Sequence, residues 1–290
     1  MTDGFAASIH ARLLANAKAR GDEFQMVLTR YGLERFLYRL SQSPAREAFW
    51  LKGAMLFDLW FDTPHRPTRD ADFLGLGPAD ANALRSAVEA VCAVPANDGM
   101  SFDARTIRIT ETREDARYGG LRVTLHGHLG RARCPVQLDV GYGDAVTPGA
   151  DDATYPTILE DLPAPSLRVY PRASVMAEKL EAIVSLGMAN SRMKDYFDLL
   201  ALAREGAVRP ALLTEALVAT LGRRRTPLPE GLPLGLADDF AREPGKQRQW
   251  SAFLGKNRLE APGLDVVLSE LRGFLQAPLA EAVARLREAR

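Results

Sequence analysis

Leu51-Lys52-Gly53-Ala54, followed further along by Thr68-Arg69-Asp70-Ala71-Asp72-Phe73, is the stretch on which the reading of this chain turns. Phe49-Trp50-Leu51 is a short apolar run that stops at Lys52-Gly53, the pattern of a buried strand closed by a turn. Ala54 to Phe61 reads as a helix with Met55, Leu56, Leu59 and Trp60 along one side. Thr63-Pro64-His65-Arg66-Pro67 must be a loop, because two prolines so close fit neither a helix nor a central strand. Asp70 to Gly75 then reads as a strand. Residues two apart on a strand point to the same face, so Asp70 and Asp72 present two carboxylates side by side. One reading is a pair of solvent-facing aspartates on an edge strand. The other is a cation site, since close like charges oppose ionisation unless a cation neutralises them, and hard oxygen ligands on a rigid strand suit Mg²⁺.

Working outward, Val136, Leu138 and Val140 alternate with Gln137 and Asp139, which is a further strand with Asp139 on its polar face. If the two strands share a sheet, three carboxylates converge, the arrangement that metal-assisted phosphoryl chemistry uses. The plainer reading leaves Asp139 decorating an exposed sheet face. Residues 102–112 and 119–127 alternate in the same strand manner. Upstream, residues 5–43 read as helices, with Ile9, Leu13, Leu14 and Ala17 on one face and a break at Gly32 in the second stretch. Pro78 to Cys92 reads as a helix opened by Asp80.

Pro148 to Pro165 is loop-rich and marks a seam, dividing the chain into residues 1–150 and 151–290. The second part is mostly helical, over 171–187, 192–205, 210–221, 236–243, 247–255 and 263–289, the last broken at Pro278. Residues 222–235 form a loop. The fold class is therefore α+β: a mixed sheet flanked by helices, with a mainly helical C-terminal unit.

Lys plus Arg number 37 and Asp plus Glu 37 in 290 residues, so bulk positive charge cannot hold a nucleic acid and any such contact must be local. No apolar run approaches the roughly 20 residues of a membrane span, and no secretory leader pattern is evident, so a reduced, cytoplasmic setting is expected. Cys92 and Cys134 alone make neither a disulfide framework nor a thiolate metal site. His126 and His128 share a strand face, but no nearby acid or thiol completes a metal set. A Gly-x-x-x-x-Gly-Lys-Ser/Thr loop is missing from the sequence, which removes support for P-loop hydrolysis.

Four stretches, in this order, carry a resemblance: Phe49 to Ala54; Arg66-Pro67-Thr68-Arg69-Asp70-Ala71-Asp72-Phe73; Ala177-Glu178-Lys179-Leu180-Glu181-Ala182-Ile183; and Lys194-Asp195-Tyr196-Phe197-Asp198-Leu199. The first two resemble the nucleotidyltransferase fold shared with DNA polymerase β. All four together resemble the AbiEii/AbiGii toxin family, which includes the MenT toxins, over most of the chain. The resemblance implies a toxin of a toxin–antitoxin system with a role in phage defence. It would be an Mg²⁺-dependent enzyme that adds nucleotides from a nucleoside triphosphate (NTP) to the tRNA 3′ acceptor end and so blocks translation, and it would have a cognate antitoxin.

By position, the resemblance makes Asp70, Asp72 and Asp139 the metal-binding carboxylates. Lys52, Gly53, Ala54 and Thr68 fall at the nucleotide site. Lys179 and Asp195 match the second-half lysine and aspartate of the active site, Lys179 meeting triphosphate charge across a cleft between the halves and Asp195 orienting it or assisting deprotonation of the acceptor. The plainer readings are a solvated helical lysine and an acid favourable to a helix N-terminus. In Gly53-Ala54-Met55 the family's hydroxyl residue is absent. Backbone N–H groups at the following helix start are left to meet the phosphate, with Thr68 a nearby hydroxyl and a place where modification would add negative charge. Arg223-Arg224-Arg225, Lys246, Arg248, Lys256 and Arg258, with Trp250 and Phe253 between, fit an RNA-tracking surface, although Trp250, Phe253 and Leu254 at helical spacing read equally as core. Two alternatives stand beside this: a toxin that nucleotidylates a protein, and a nucleotide-binding protein without catalysis.

Overall fold

The computed structural model describes residues 3–62, 65–112 and 120–289. The loop expected at Thr63-Pro64 and the first residue of the strand expected over 119–127 lie outside the described residues. The chain forms two compact units, one from Met1–Gly143 with Asp151–Val169, the other from Asp144–Ala150 with Tyr170–Arg290.

In the first unit, strands β1 (Phe49–Lys52), β2 (Ala71–Gly75), β3 (Met100–Thr112), β4 (Gly120–Leu129), β5 (Ala132–Tyr142), β6 (Asp151–Thr154) and β7 (Ser166–Val169) build a seven-stranded sheet. Its order is β3-β4-β5-β2-β1-β7-β6. β2 runs parallel to β5 and β1 parallel to β7, while the other neighbours are antiparallel. This is the mixed sheet of the α+β class expected.

The helices α1 (Asp3–Arg20), α2 (Phe24–Ser41), α3 (Phe57–Trp60) and α4 (Ala81–Ala93) belong to the same unit. The Asp80 side chain caps α4 by accepting from the Asn82 and Ala83 N–H groups, which satisfies two of the orphan donors at a helix start. Along β5, Cys134, Val136, Leu138 and Val140 are buried and the residues between them are more open. That buried face meets α2 and α4 through Phe36, Leu40, Leu84, Val88 and Val91. The period-2 alternation thus separates a core face from a polar face.

Three local expectations are corrected. α2 runs unbroken through Gly32. The reason is packing: a Cβ there would run into Cys134 Sγ on β5, so the glycine lets helix and sheet approach closely. Residues 54–61 are not one helix, since Gly53–Leu56 is a 3-10 turn and only Phe57–Trp60 is α-helical. The segment expected to be loop over 148–165 contains β6. Together with β7 it lies past the division drawn at residue 150, yet both strands complete the sheet, whereas residues 144–150 go with the helices.

The second unit holds α5 (Arg172–Leu186), α6 (Met193–Glu205), α7 (Pro210–Arg224), α8 (Asp238–Arg242), α9 (Pro244–Asn257) and α10 (Leu264–Glu288). α10 continues through Pro278, contrary to the expected break. Leu271, Leu275, Pro278, Leu279 and Ala282 form one buried stripe along it. Burial of that stripe outweighs the roughly 3 kcal/mol that proline costs a helix interior. Among the described residues, no helix is long and apolar enough to cross a membrane.

Candidate active site

The site begins with strand register. Lys52 on β1 is opposite Asp72 on β2. Asp72 is in register with Asp139 on β5, and Asp139 is opposite Arg122 on β4. Partners in register point to the same face. Lys52, Asp72, Asp139 and Arg122 therefore form a row across four strands on the polar face of the sheet. Asp70 precedes β2 by one residue, two positions before Asp72.

Each member is held. The Arg122 guanidinium donates to both oxygens of Asp139, Nε to Oδ1 at 2.7 Å and Nη2 to Oδ2 at 2.8 Å, and Gln137 Nε2 adds a third donor at 3.3 Å. Thr68 Oγ1 donates to Asp70 Oδ1 at 2.7 Å, so its hydroxyl fixes the carboxylate two residues on, an arrangement short polar side chains favour in turns. Gly53 has φ +74°, and a Cβ there would collide with Asp72 Oδ2. The backbone of the turn after β1 thus lies directly against the Asp72 carboxylate. Lys52 reaches toward β5: a Cβ built on Gly141 would lie 3.5 Å from Lys52 Nζ.

Asp70, Asp72 and Asp139 were the expected metal carboxylates. Among the described residues, no group of three or more acid, imidazole or thiol side chains is placed to hold a metal ion, so these three carboxylates do not form such a set by themselves. The donor set still fits Mg²⁺, which is bound by one or two carboxylates together with waters and substrate phosphates rather than by an all-protein cage. Gly53 bears on that fit, because its missing side chain lets the Asp72 carboxylate occupy its place against the turn after β1.

In the second unit, Lys179 on α5 is buried and its Nζ lies 3.0 Å from Asp195 Oδ1 and 2.7 Å from Asp198 Oδ2 on α6. Both aspartates are fully buried, and Arg192 Nε lies 2.7 Å from Asp195 Oδ2. Asp195 and Asp198 fall one helical turn apart and so face the lysine together. Lys179 is therefore not the solvated surface lysine of the plainer reading.

Next to Lys179, Glu178 and Glu181 face Arg224 of α7, which also meets Asp144. Burial alone would lower the Arg224 pKa, but Glu178, Asp144 and Glu181 together raise it, so the guanidinium stays charged inside the unit. The run Arg223-Arg224-Arg225 is accordingly split. Arg224 is internal, while Arg223 and Arg225 are exposed. Lys246 is buried, donating to the Asn190 carbonyl, and Trp250 is buried, donating to the Pro262 carbonyl. Neither belongs to an RNA-facing surface, whereas Arg248, Lys256 and Arg258 remain exposed.

One residue escaped the sequence reading, and a second was seen there without a role. Arg122 sits between Leu121 and Val123 on a strand face like many others, and only the β4–β5 register ties it to Asp139. Asp198 was legible as an acid three residues after Asp195, but its grip on Lys179 depends on the packing of α5 against α6. The thiols stay outside the chemistry: burial pushes Cys134 up to about 12 and Cys92 up to about 11, so both remain protonated.

The profile of the family described as "Nucleotidyl transferase AbiEii toxin, Type IV TA system" matches residues 35–277. The chain belongs to this family. It is thus a nucleotidyltransferase toxin of a type IV toxin–antitoxin system, with an NTP substrate and an antitoxin partner implied by family. Among solved structures, it is similar to JHP933 from Helicobacter pylori at 16% identity, covering 92% of this chain and 95% of that one, with a TM-score of 0.49. It is also similar to MenT4, a nucleotidyltransferase toxin from Mycobacterium tuberculosis H37Rv, at 18% identity over 99% of both chains with a TM-score of 0.48. No curated protein gives a significant match to the chain.

Proposed function

We propose that this AbiEii-family chain transfers a nucleotidyl group from an NTP to the 3′ acceptor end of tRNA, with Mg²⁺ held by Asp70, Asp72 and Asp139. The observation that carries the reading is the row Lys52–Asp72–Asp139–Arg122, two carboxylates flanked by two cations on one open sheet face. The acceptor hydroxyl attacks the α-phosphorus. A new P–O bond forms, the α–β bridge breaks, pyrophosphate leaves, and the hydroxyl proton passes to solvent water. When bound, Mg²⁺ neutralises the phosphates and acidifies the attacking hydroxyl.

Lys52 meets phosphate charge as a point cation. The Gly53-Ala54 backbone allows the phosphates close approach, and Thr68 holds Asp70 in place. In the second unit, Lys179 is engaged by Asp195 and Asp198, so its charge serves that buried cluster. Exposed Arg223, Arg225, Arg248, Lys256 and Arg258 support a tRNA acceptor, since phosphate-backbone contacts supply most sequence-independent affinity.

The test is incubation with each labelled NTP, Mg²⁺ and either total RNA or lysate protein, followed by sequencing of tRNA 3′ ends after expression. Label on tRNA with extended 3′ ends is expected. Label on protein alone overturns the acceptor. Wild type should arrest growth while Asp70→Ala does not; equal growth of the two sinks catalysis altogether.

A further inference from the structure

We propose that Arg122 is a positioning residue that competes with the divalent cation for Asp139, so that nucleotide binding and metal binding are coupled through this one side chain. The inference rests on the metal role proposed for Asp139. A carboxylate offers about four lone-pair positions. Arg122 occupies two with its fork and Gln137 takes a third. While the fork is in place, Asp139 cannot grip a metal ion with both oxygens. Its charge is also already neutralised, which weakens its pull on a second cation.

The row as a whole has the same character. Lys52 and Arg122 stand at its ends and balance Asp72 and Asp139 between them. A cation entering the row gains little until an end cation finds another anion. A triphosphate is such an anion, and an arginine fork pairs with phosphate as well as it does with carboxylate. Arg122 is suited to the exchange because its side chain is 35% exposed, against 17% for Asp139, so it can turn outward without unpacking the sheet. By linkage, metal then tightens nucleotide binding by the same factor by which nucleotide tightens metal binding.

The experiment measures Mn²⁺ affinity of the full chain by electron paramagnetic resonance, with and without each α,β-methylene NTP. Wild type should bind Mn²⁺ weakly alone and more tightly with the analogue. Arg122→Ala should bind Mn²⁺ alone about tenfold more tightly, because removing the neutralising fork restores the carboxylate's charge and lone pairs to the ion. The analogue should then add little. Arg122→Lys, which keeps charge without the fork, should fall between. Asp139→Asn in the Arg122→Ala background should erase the gain.

A folded Arg122→Ala protein whose Mn²⁺ affinity equals or falls below wild type overturns the proposal. If that variant does not fold, Arg122→Gln carries the same expectation and the same power to refute. The underlying metal reading is checked separately by Asp72→Asn. If Asp72→Asn binds Mn²⁺ with the analogue as wild type does, the metal reading fails and takes this inference with it. If Asp72→Asn loses binding but Arg122→Ala gains none, only the inference fails.

Discussion

At position 53 the chain needs a residue without a side chain for two independent reasons. The backbone is left-handed, and a Cβ would strike Asp72 Oδ2. Gly53→Ala should cost about 1–2 kcal/mol in backbone strain alone and displace the Asp72 carboxylate. Nucleotidyl transfer should fall much further than urea stability does; unchanged transfer would show that Asp72 need not sit where it does. Glu34 is a second residue with a measurable signature. Burial pushes it up to about 7 from an ordinary value of 4.5, against the opposing pull of Arg35 and the Ile158 N–H. A carboxyl raised by folding binds more protons in the native state than in the unfolded one. Stability therefore falls as pH rises through the window from 4.5 to about 7, and the loss is complete above it. Urea unfolding across that window should show the decline in wild type and a flatter profile in Glu34→Gln, whatever the offset between the two proteins; parallel profiles would contradict it. At this scale the candidate carboxylates were legible, because Asp70-x-Asp72 and the polar position of Asp139 follow from a two-residue repeat. Arg122 was not, because nothing in its own neighbourhood distinguishes it.

Elements were legible where their signal was local. The alternation of β3, β4 and β5, the Asp80 cap of α4 and the helical stretches that became α5 to α7 are all read from neighbours in sequence. The misreadings at Gly32 and Pro278 share a cause: each residue disfavours a helix locally and is outweighed by what the helix packs against. For α2 this can be tested. Alanine normally favours a helix over glycine by about 1 kcal/mol, yet Gly32→Ala should destabilise by about 1–3 kcal/mol through overpacking against Cys134. Shortening the partner in Gly32→Ala/Cys134→Ala should recover part of that loss. If the single variant is more stable than wild type, close approach is not what glycine provides there. The turn at 53–56 shows the reverse situation: helix-favouring residues are held in a 3-10 turn because the chain must bend between β1 and α3.

For the whole molecule, the formal charge of zero conceals many internal pairs, and these decide which basic residues remain for solvent. The Lys179–Asp195–Asp198 cluster and the Arg224 hub are buried within the second unit. Removing one partner of such a pair leaves an uncompensated buried charge, which costs about 3–5 kcal/mol. Lys179→Ala and Arg224→Ala should both lower the thermal unfolding midpoint, so loss of toxicity in Lys179→Ala is informative only beside a melting curve. A Lys179→Ala protein that melts like wild type would mean the pair is not held as described. A residue-150 division was inferred from loop-forming composition, whereas β6 and β7 join the sheet through pairings with no local mark. Another long-range pairing, β2 with β5, has a further effect on when the protein becomes dangerous to the cell making it. β5 lies between β4 and β2, so it is the strand that joins the β3–β4 hairpin to the β1–β2 pair. A nascent chain ending at Arg131 already contains Lys52, Asp70, Asp72 and Arg122, but has nothing to bring them into line. Synthesis must pass Tyr142 before the carboxylate row exists, so a ribosome translating this message is not exposed to a working copy until that strand has emerged.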